Sequence, residues 1–209
     1  MKTIKTFHLL LVKLIFANWK SFHKTILTPT ALVAAYAALT SIYADRAQVP
    51  EAQLKDYAST ALIALQRQFP FGTLCACYWV GDGAAAVYRQ GREVLLLGAA
   101  DTGEYAGQTR FLDERAVTAE AIGARTQFVL VEDLTAFVLM TDGVSDPKFD
   151  TDARLQALPL WDALWAELDP LVQQPQPHEH LLQWLDFWSP GNHDDRTLLL
   201  ALPGQAVSA

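Results

Sequence analysis

The amino-acid sequence predicts an α+β fold with antiparallel sheets. Three observations lead there. From Tyr57 to about residue 100 the chain is a run of short apolar segments, rich in β-branched and aromatic residues and punctuated by glycine or proline. Helical patterns stand before and after this run and do not alternate with strands, which argues against βαβ units. The composition, 51% apolar and only 19% charged over 209 residues, supports a substantial core and excludes a disordered chain. We read residues 1–209 as a single domain, helical over 1–45 and strand-rich with helices over 57–209.

Residues 1–26 and 28–45 read as two helices. "HLLLVKLIF" is apolar on nearly all sides, but it is too short to cross a bilayer and no cleavage site follows it closely. In "TPTALVAAYAALTSIYADR" Thr28 can cap, Pro29 suits the first turn and alanine dominates the body. Its weak hydrophobicity favours a packed helix over a membrane span. After the polar connection "QVPEAQLKD", "STALIALQRQ" (59–68) and "GTLCACYWV" (72–80) read as strands linked at Phe69-Pro70-Phe71-Gly72. "AAAVYRQG" and "EVLLLGAA" form a hairpin turning at Gln90-Gly91-Arg92. Residues 101–127 are rich in glycine, threonine and charge and read as mostly loop with short elements. "QFVLVED" and "LTAFVLMTD" read as a further strand pair around Glu132-Asp133. "WDALWAELDPLV" (161–172) is an amphipathic helix, "QQPQPHEH" a proline-rich loop, "EHLLQWLDFWS" (179–189) a helix and "RTLLLALP" the closing strand. Trp161, Trp165, Trp184 and Trp188 recur at helical spacing and read as core.

Charge and cysteine usage exclude some functions. The net charge of −7, without a dense Lys/Arg stripe, argues against nucleic-acid binding. The two cysteines, Cys75 and Cys77, fall on one face of a strand, and no CxxC or Cys/His cluster accompanies them. They read as buried thiols of a reducing compartment, so the expected location is cytoplasmic, with no membrane partner.

The chemistry concentrates in carboxylates at the ends of apolar runs. Asp142 follows "FVLMT" and precedes Gly143; Asp82 follows "CYWVG" and precedes Gly83; Asp194 and Asp195 follow His193 and open "RTLLLAL". An Asp-Gly pair alone is equally a hairpin turn, and an Asp before a strand equally a cap. If these strands lie side by side, the carboxylates converge at one sheet edge and offer the hard oxygen ligands that Mg²⁺ or Mn²⁺ requires. "LMTDGVSD" also looks like the Asp-x-Asp-Gly nucleophile motif of haloacid-dehalogenase-like phosphatases. The nucleophile position holds Met140, which can neither attack nor ligate a hard ion.

The order of these motifs resembles the metal-dependent protein phosphatases of type 2C, in particular their compact bacterial branch. "DYASTALIAL", "YWVGDGAAAVYRQG", "TGEYAGQTRFL", "FVLMTDGVSD" and "HDDRTLLL" are similar to five successive motifs of that family, from about residue 55 onward. The resemblance implies that residues 57–209 form an antiparallel β-sandwich flanked by helices, four layers α-β-β-α, with two or three Mg²⁺ or Mn²⁺ ions at one end. It implies a protein serine/threonine phosphatase that hydrolyses phosphoserine and phosphothreonine with metal-activated water. Its substrate would be a phosphoprotein, supplied by a cognate kinase. Asp142 and Asp194 would hold the catalytic ion and Asp82 a third, weaker one, with Gly83, Gly143, Asp195 and His193 in support. Glu104 and Tyr105 fall where a flap would cover the site, and Arg110 is the candidate phosphate ligand, since a guanidinium fork suits phosphate. His178 and His180 read as surface residues.

One departure stands out. The family's first strands carry a phosphate-binding Arg and an Asp-Gly-x-Gly that bridges the metals. Before Thr60 there is no Asp-Gly; Asp45 is the only acid and Arg46 the only Arg among the first 50 residues. The expectation is therefore a sandwich lacking its first strands, or a catalytically inactive relative serving as a binding module. An uncovered sheet edge would further favour a homodimer or aggregation through residues 1–26.

Overall fold

The computed structural model describes residues 59–98, 109–112, 114–187 and 195–204. The helices expected over 1–26 and 28–45, and the question of missing first strands, fall outside them. Seven strands are described: β1 (Ala61–Phe69), β2 (Gly72–Val80), β3 (Ala84–Arg89), β4 (Glu93–Leu96), β5 (Thr126–Val131), β6 (Ala136–Met140) and β7 (Leu198–Ala201). The helices are α1 (Ala119–Ala124), α2 (Asp142–Phe149), α3 (Leu158–Val172) and α4 (Pro177–Trp184), with 3-10 turns at Glu114–Val117 and Asp152–Gln156. The strands form two sheets in the orders β1-β2-β5 and β4-β3-β6-β7, and every pairing is antiparallel.

The sheets pack face to face because alternate residues of their strands are apolar. Leu62, Ala64, Cys75, Cys77 and Trp79 of the first sheet meet Ala85, Val87, Phe137 and Leu139 of the second. The second sheet is apolar on its other face as well: Ala84, Ala86, Tyr88, Ala136, Val138 and Met140 pack against Val144, Phe149, Trp161, Leu164, Trp165 and Leu168. The spacing of Trp161, Leu164, Trp165 and Leu168 is that of one helix face, which is why α3 lies flat on this sheet. Trp161 is pinned there by its indole N–H, 2.7 Å from the Leu155 carbonyl, and by the Phe149 ring at 4.7 Å. The outer face of the first sheet is met by the segment 114–124, where Ala116 packs on Tyr78 and Val80. The layers are thus α-β-β-α, as the family resemblance implies.

Two expectations need correction, and others hold. β5 and β6 do not pair with each other: β5 joins β2, β6 joins β3 and β7, and the short link around Glu132-Asp133 carries the chain from one sheet to the other. The proline-rich loop is half helix, because Pro177 opens α4; proline is well tolerated in a first helical turn, where its missing N–H costs nothing. Within 101–127, Thr118 caps α1 by accepting the N–H of Ala121 at 3.1 Å. Trp161 and Trp165 are core residues, Trp184 is half-buried, and Trp188 lies outside the described residues. Cys75 and Cys77 are free and buried, and burial pushes both thiols up to about 12.

Candidate active site

The site grows from the ends of β2, β6 and the start of β7. Ala84 pairs with Met140 and Met140 with Leu198. Two residues further along that register, Asp82 is level with Asp142, and Asp142 with Arg196. The strand β6 stops where it does because Thr141 adopts extended backbone (φ −78°, ψ 165°) and α2 begins with Asp142. The Asp142 carboxylate therefore sits in the first turn of a helix, where unpaired N–H groups and the macrodipole favour negative charge; the Gly143 N–H donates to its Oδ1 at 2.8 Å.

Two glycines let these turns touch. A Cβ on Gly143 would stand 2.6 Å from the Asp195 carbonyl oxygen and 3.2 Å from Cγ of Arg196. A Cβ on Gly83 would stand 2.9 Å from the Met140 carbonyl oxygen and 3.0 Å from Cδ1 of Leu62. Only hydrogen fits at either position, so the two Asp-Gly pairs are close-packing devices as well as turns. Thr141 completes the seam. Its hydroxyl donates to the Asp195 carbonyl at 3.0 Å and accepts the Thr197 N–H at 2.9 Å, while its own N–H donates to the Thr197 carbonyl at 3.1 Å.

Around this seam stand three further groups. The hydroxyl of Thr109 donates to Oδ2 of Asp82 at 2.5 Å, and Leu112, three residues on, donates its N–H to the Ser59 carbonyl at 2.8 Å. Residues 109–112 thus lie along the end of β1 and β2, with Arg110 beside Thr109. Arg196 donates to the Leu185 carbonyl at 2.5 Å and lies over the Phe187 ring, 5.2 Å from its centroid. Lys148 of α2 reaches the same ring at 4.9 Å and binds Glu167 at 2.6 Å, which also accepts the Trp184 indole N–H at 2.9 Å. Burial raises the Glu167 pKa, but the bonds from Lys148 and Trp184 outweigh it and hold the carboxyl below its ordinary range. This cluster ties α2, α3 and α4 to the entry of β7.

A family model described as Protein phosphatase 2C matches residues 10–186. The chain belongs to the protein phosphatase 2C family. The match begins well upstream of the five motifs and ends before His193-Asp194-Asp195. No curated protein matches the chain. Membership carries a phosphatase-type, hydrolytic function and a family-wide dependence on divalent metal ions.

In this phosphatase-family chain the predicted residues are distributed as follows. Asp82, Gly83, Asp142, Gly143 and Asp195 come together at one edge of the sandwich, with Asp195 contributing its carbonyl to the seam. Asp194, His193, Glu104 and Tyr105 lie outside the described residues. Among the described residues no three His, Cys, Asp or Glu side chains group closely enough to hold an ion. Asp82 and Asp142 supply two carboxylates to that edge, and Asp194 adjoins Asp195 in sequence; a donor set of carboxylates alone fits Mg²⁺ or Mn²⁺ and not a soft metal. Sequence reasoning passed over Thr109, Thr141 and Arg196. Thr141 stood inside a quoted motif and could have been weighed as a hydrogen-bonding residue; nothing local marks Thr109 as the partner of Asp82.

Proposed function

We propose that the chain is a metal-dependent protein serine/threonine phosphatase acting on phosphoserine and phosphothreonine of a phosphoprotein that a cognate kinase modifies. The observation that carries this reading is the seam in which Gly83 meets the Met140 carbonyl and Gly143 meets the Asp195 carbonyl, so that three aspartate-bearing turns adjoin at one sheet edge. Asp142 and Asp194 would hold a catalytic Mg²⁺ or Mn²⁺, and Asp82 a further ion. A bound ion of this kind supplies Lewis acidity to a phosphoryl oxygen and acidity to a water. The chain's own residues do the positioning. Thr141 locks the end of β6 to the entry of β7, Thr109 orients the Asp82 carboxylate, and the first turn of α2 holds Asp142 in place through the Gly143 N–H. Arg110, beside Thr109, is the candidate phosphate ligand. Nucleophilic catalysis by cysteine is disfavoured, since both thiols are buried between the sheets and raised to about 12.

Asp142→Ala should abolish manganese-dependent hydrolysis of an aryl phosphate. Activity that persists in this variant with the same manganese dependence would overturn the reading. A second reading, an inactive phosphatase-like binding module, is favoured by one observation: Asp-Gly occurs in the sequence only at Asp82-Gly83 and Asp142-Gly143. Calorimetric titration with Mn²⁺ separates the two, because two tight sites are incompatible with the inactive module.

A further inference from the structure

Among the described residues β5 is an edge strand unlike the others. Its residues Thr126, Gln127, Phe128 and Leu130 are exposed, Phe128 to 74% and Leu130 to 49%, whereas β1, the opposite edge of the same sheet, exposes only Gln68. The segment Thr126–Val131 (TQFVLV) is uncharged, β-prone and free of proline. Natural edge strands are usually protected by charge, proline or a bulge, because their free backbone groups pair readily with another chain.

The backbone alternation shows which groups are on offer. The Trp79 N–H donates to the Arg125 carbonyl at 3.1 Å, and Tyr78 stands opposite Thr126. In an antiparallel ladder, alternate residues turn both their N–H and C=O to the same neighbour. Gln127, Val129 and Val131 therefore bond β2, and the N–H and C=O of Thr126, Phe128 and Leu130 point away from it. Among the described residues no strand occupies that side.

We propose that the β5 edge pairs antiparallel with β5 of a second copy of this chain, continuing the three-stranded sheet across a twofold axis. Charge selects this occupant and this direction. The strand runs from Arg125 to Glu132-Asp133; Asp133 is bound by Arg89 and Arg92, and with Glu132 and Glu93 beside them that end keeps a net negative charge. Antiparallel self-pairing brings the basic start of each strand to the acidic end of the other, where parallel pairing would set like on like. A twofold axis perpendicular to the sheet keeps each residue on its own face, so pairs must have the same parity. Centring on Val129 sets Phe128 opposite Leu130 of the partner subunit, and Leu130 opposite Phe128 of the partner subunit. The two exposed side chains of each copy are then covered on the outer face beside Ala76 and Leu74, their neighbours on β2. The contact is isologous and closes at two subunits. It differs from a contact made by residues 1–26, and it does not depend on the phosphatase reading.

Light scattering on the full chain at tens of micromolar should give twice the 23.1 kDa subunit mass. Hydrogen exchange should show the amides of Thr126, Phe128 and Leu130 slowing as protein concentration rises, with the Gln127 and Val129 amides slow throughout. Leu130→Lys should return the protein to a monomer with an unchanged circular dichroism spectrum. Phe128→Pro gives an independent check, since the N–H it removes points away from β2. A monomeric wild type would overturn the proposal. So would a dimer that both variants leave intact, or one lost only when residues 1–26 are deleted.

Discussion

β5 and β6 are close neighbours in sequence and similar in kind, TQFVLV and AFVLM, yet every residue of β6 is buried while most of β5 is exposed. The difference is one of position. β6 lies between β3 and β7, with the first sheet on one face and α2, α3 and α4 on the other. Among the described strands β5 closes a sheet of three, and the described part of its outer cover, residues 114–124, reaches Tyr78 and Val80 but leaves Phe128 and Leu130 in the open. Apolar, β-prone composition earmarks a strand for pairing; it does not say how many of its sides the fold will cover. At the β6 end of the molecule burial forces precision, and the candidate site stands where that buried strand stops.

The contrast predicts unequal responses to truncation. Trp161→Ala, on the covered face of the second sheet, should cost about 3–5 kcal/mol, from lost burial and the cavity left behind. In the Leu130→Lys background, which keeps the chain monomeric, Phe128→Ala should stay within about 0.5 kcal/mol, because the side chain is largely exposed in the single chain. Urea denaturation of both variants checks this, and comparable losses would break the comparison.

Smaller but more local is Gly143→Ala. The added methyl would press on a backbone carbonyl, which cannot rotate away as a side chain could. The expected cost is about 1–3 kcal/mol, together with weakened Mn²⁺ binding by calorimetry. Normal stability and normal binding would mean that the seam between α2 and Asp195 is looser than described.

The smallest effect concerns pH. Glu167, on the helix side of the second sheet, is pushed up by burial, but its bonds to Lys148 and Trp184 bring it net below its ordinary range. A carboxyl whose folded pKa is depressed adds stability that is fully present above its unfolded pKa and is lost as pH falls through the folded value. Glu167→Gln should therefore flatten the decline in urea midpoint between neutral and moderately acid pH, with little change at the acid end. Just past the end of β5, desolvation raises the Asp133 carboxyl, but Arg89 and Arg92 outweigh it and hold it net below its ordinary range, with the side chain still exposed. Asp133→Asn should change the profile less, since solvent screens exposed pairs.

Much of the site was visible in sequence because its parts are local signals. Asp82-Gly83 and Asp142-Gly143 each end an apolar run, and a carboxylate followed by the one residue without a Cβ can be recognised without knowing its neighbours. The order of the motifs, from "GDG" through "TDG" to "HDDRT", supported the family that the match over residues 10–186 then established. What escaped were partners distant in the chain. Thr109 meets Asp82 across 27 positions and Thr141 meets Asp195 across 54. Threonine is common, and no periodicity marks one that will find a distant acceptor.

The sequence by itself determined which segments become strands, that they run antiparallel, and where the carboxylates stand along them, because alternation, turn residues and chain order are properties of neighbouring residues. Only the tertiary structure decided which strands pair. Adjacency in the chain favoured β5 with β6, but each is apolar enough to pair with several strands, and closing two faces of a sandwich sends one to β2 and the other to β3. The same closure starts α2 at Asp142, since Gly143 can pack on Asp195 only if the chain turns there. Strand partners are chosen by the burial of whole faces, a sum over residues far apart in sequence, and that sum is what a local pattern does not contain.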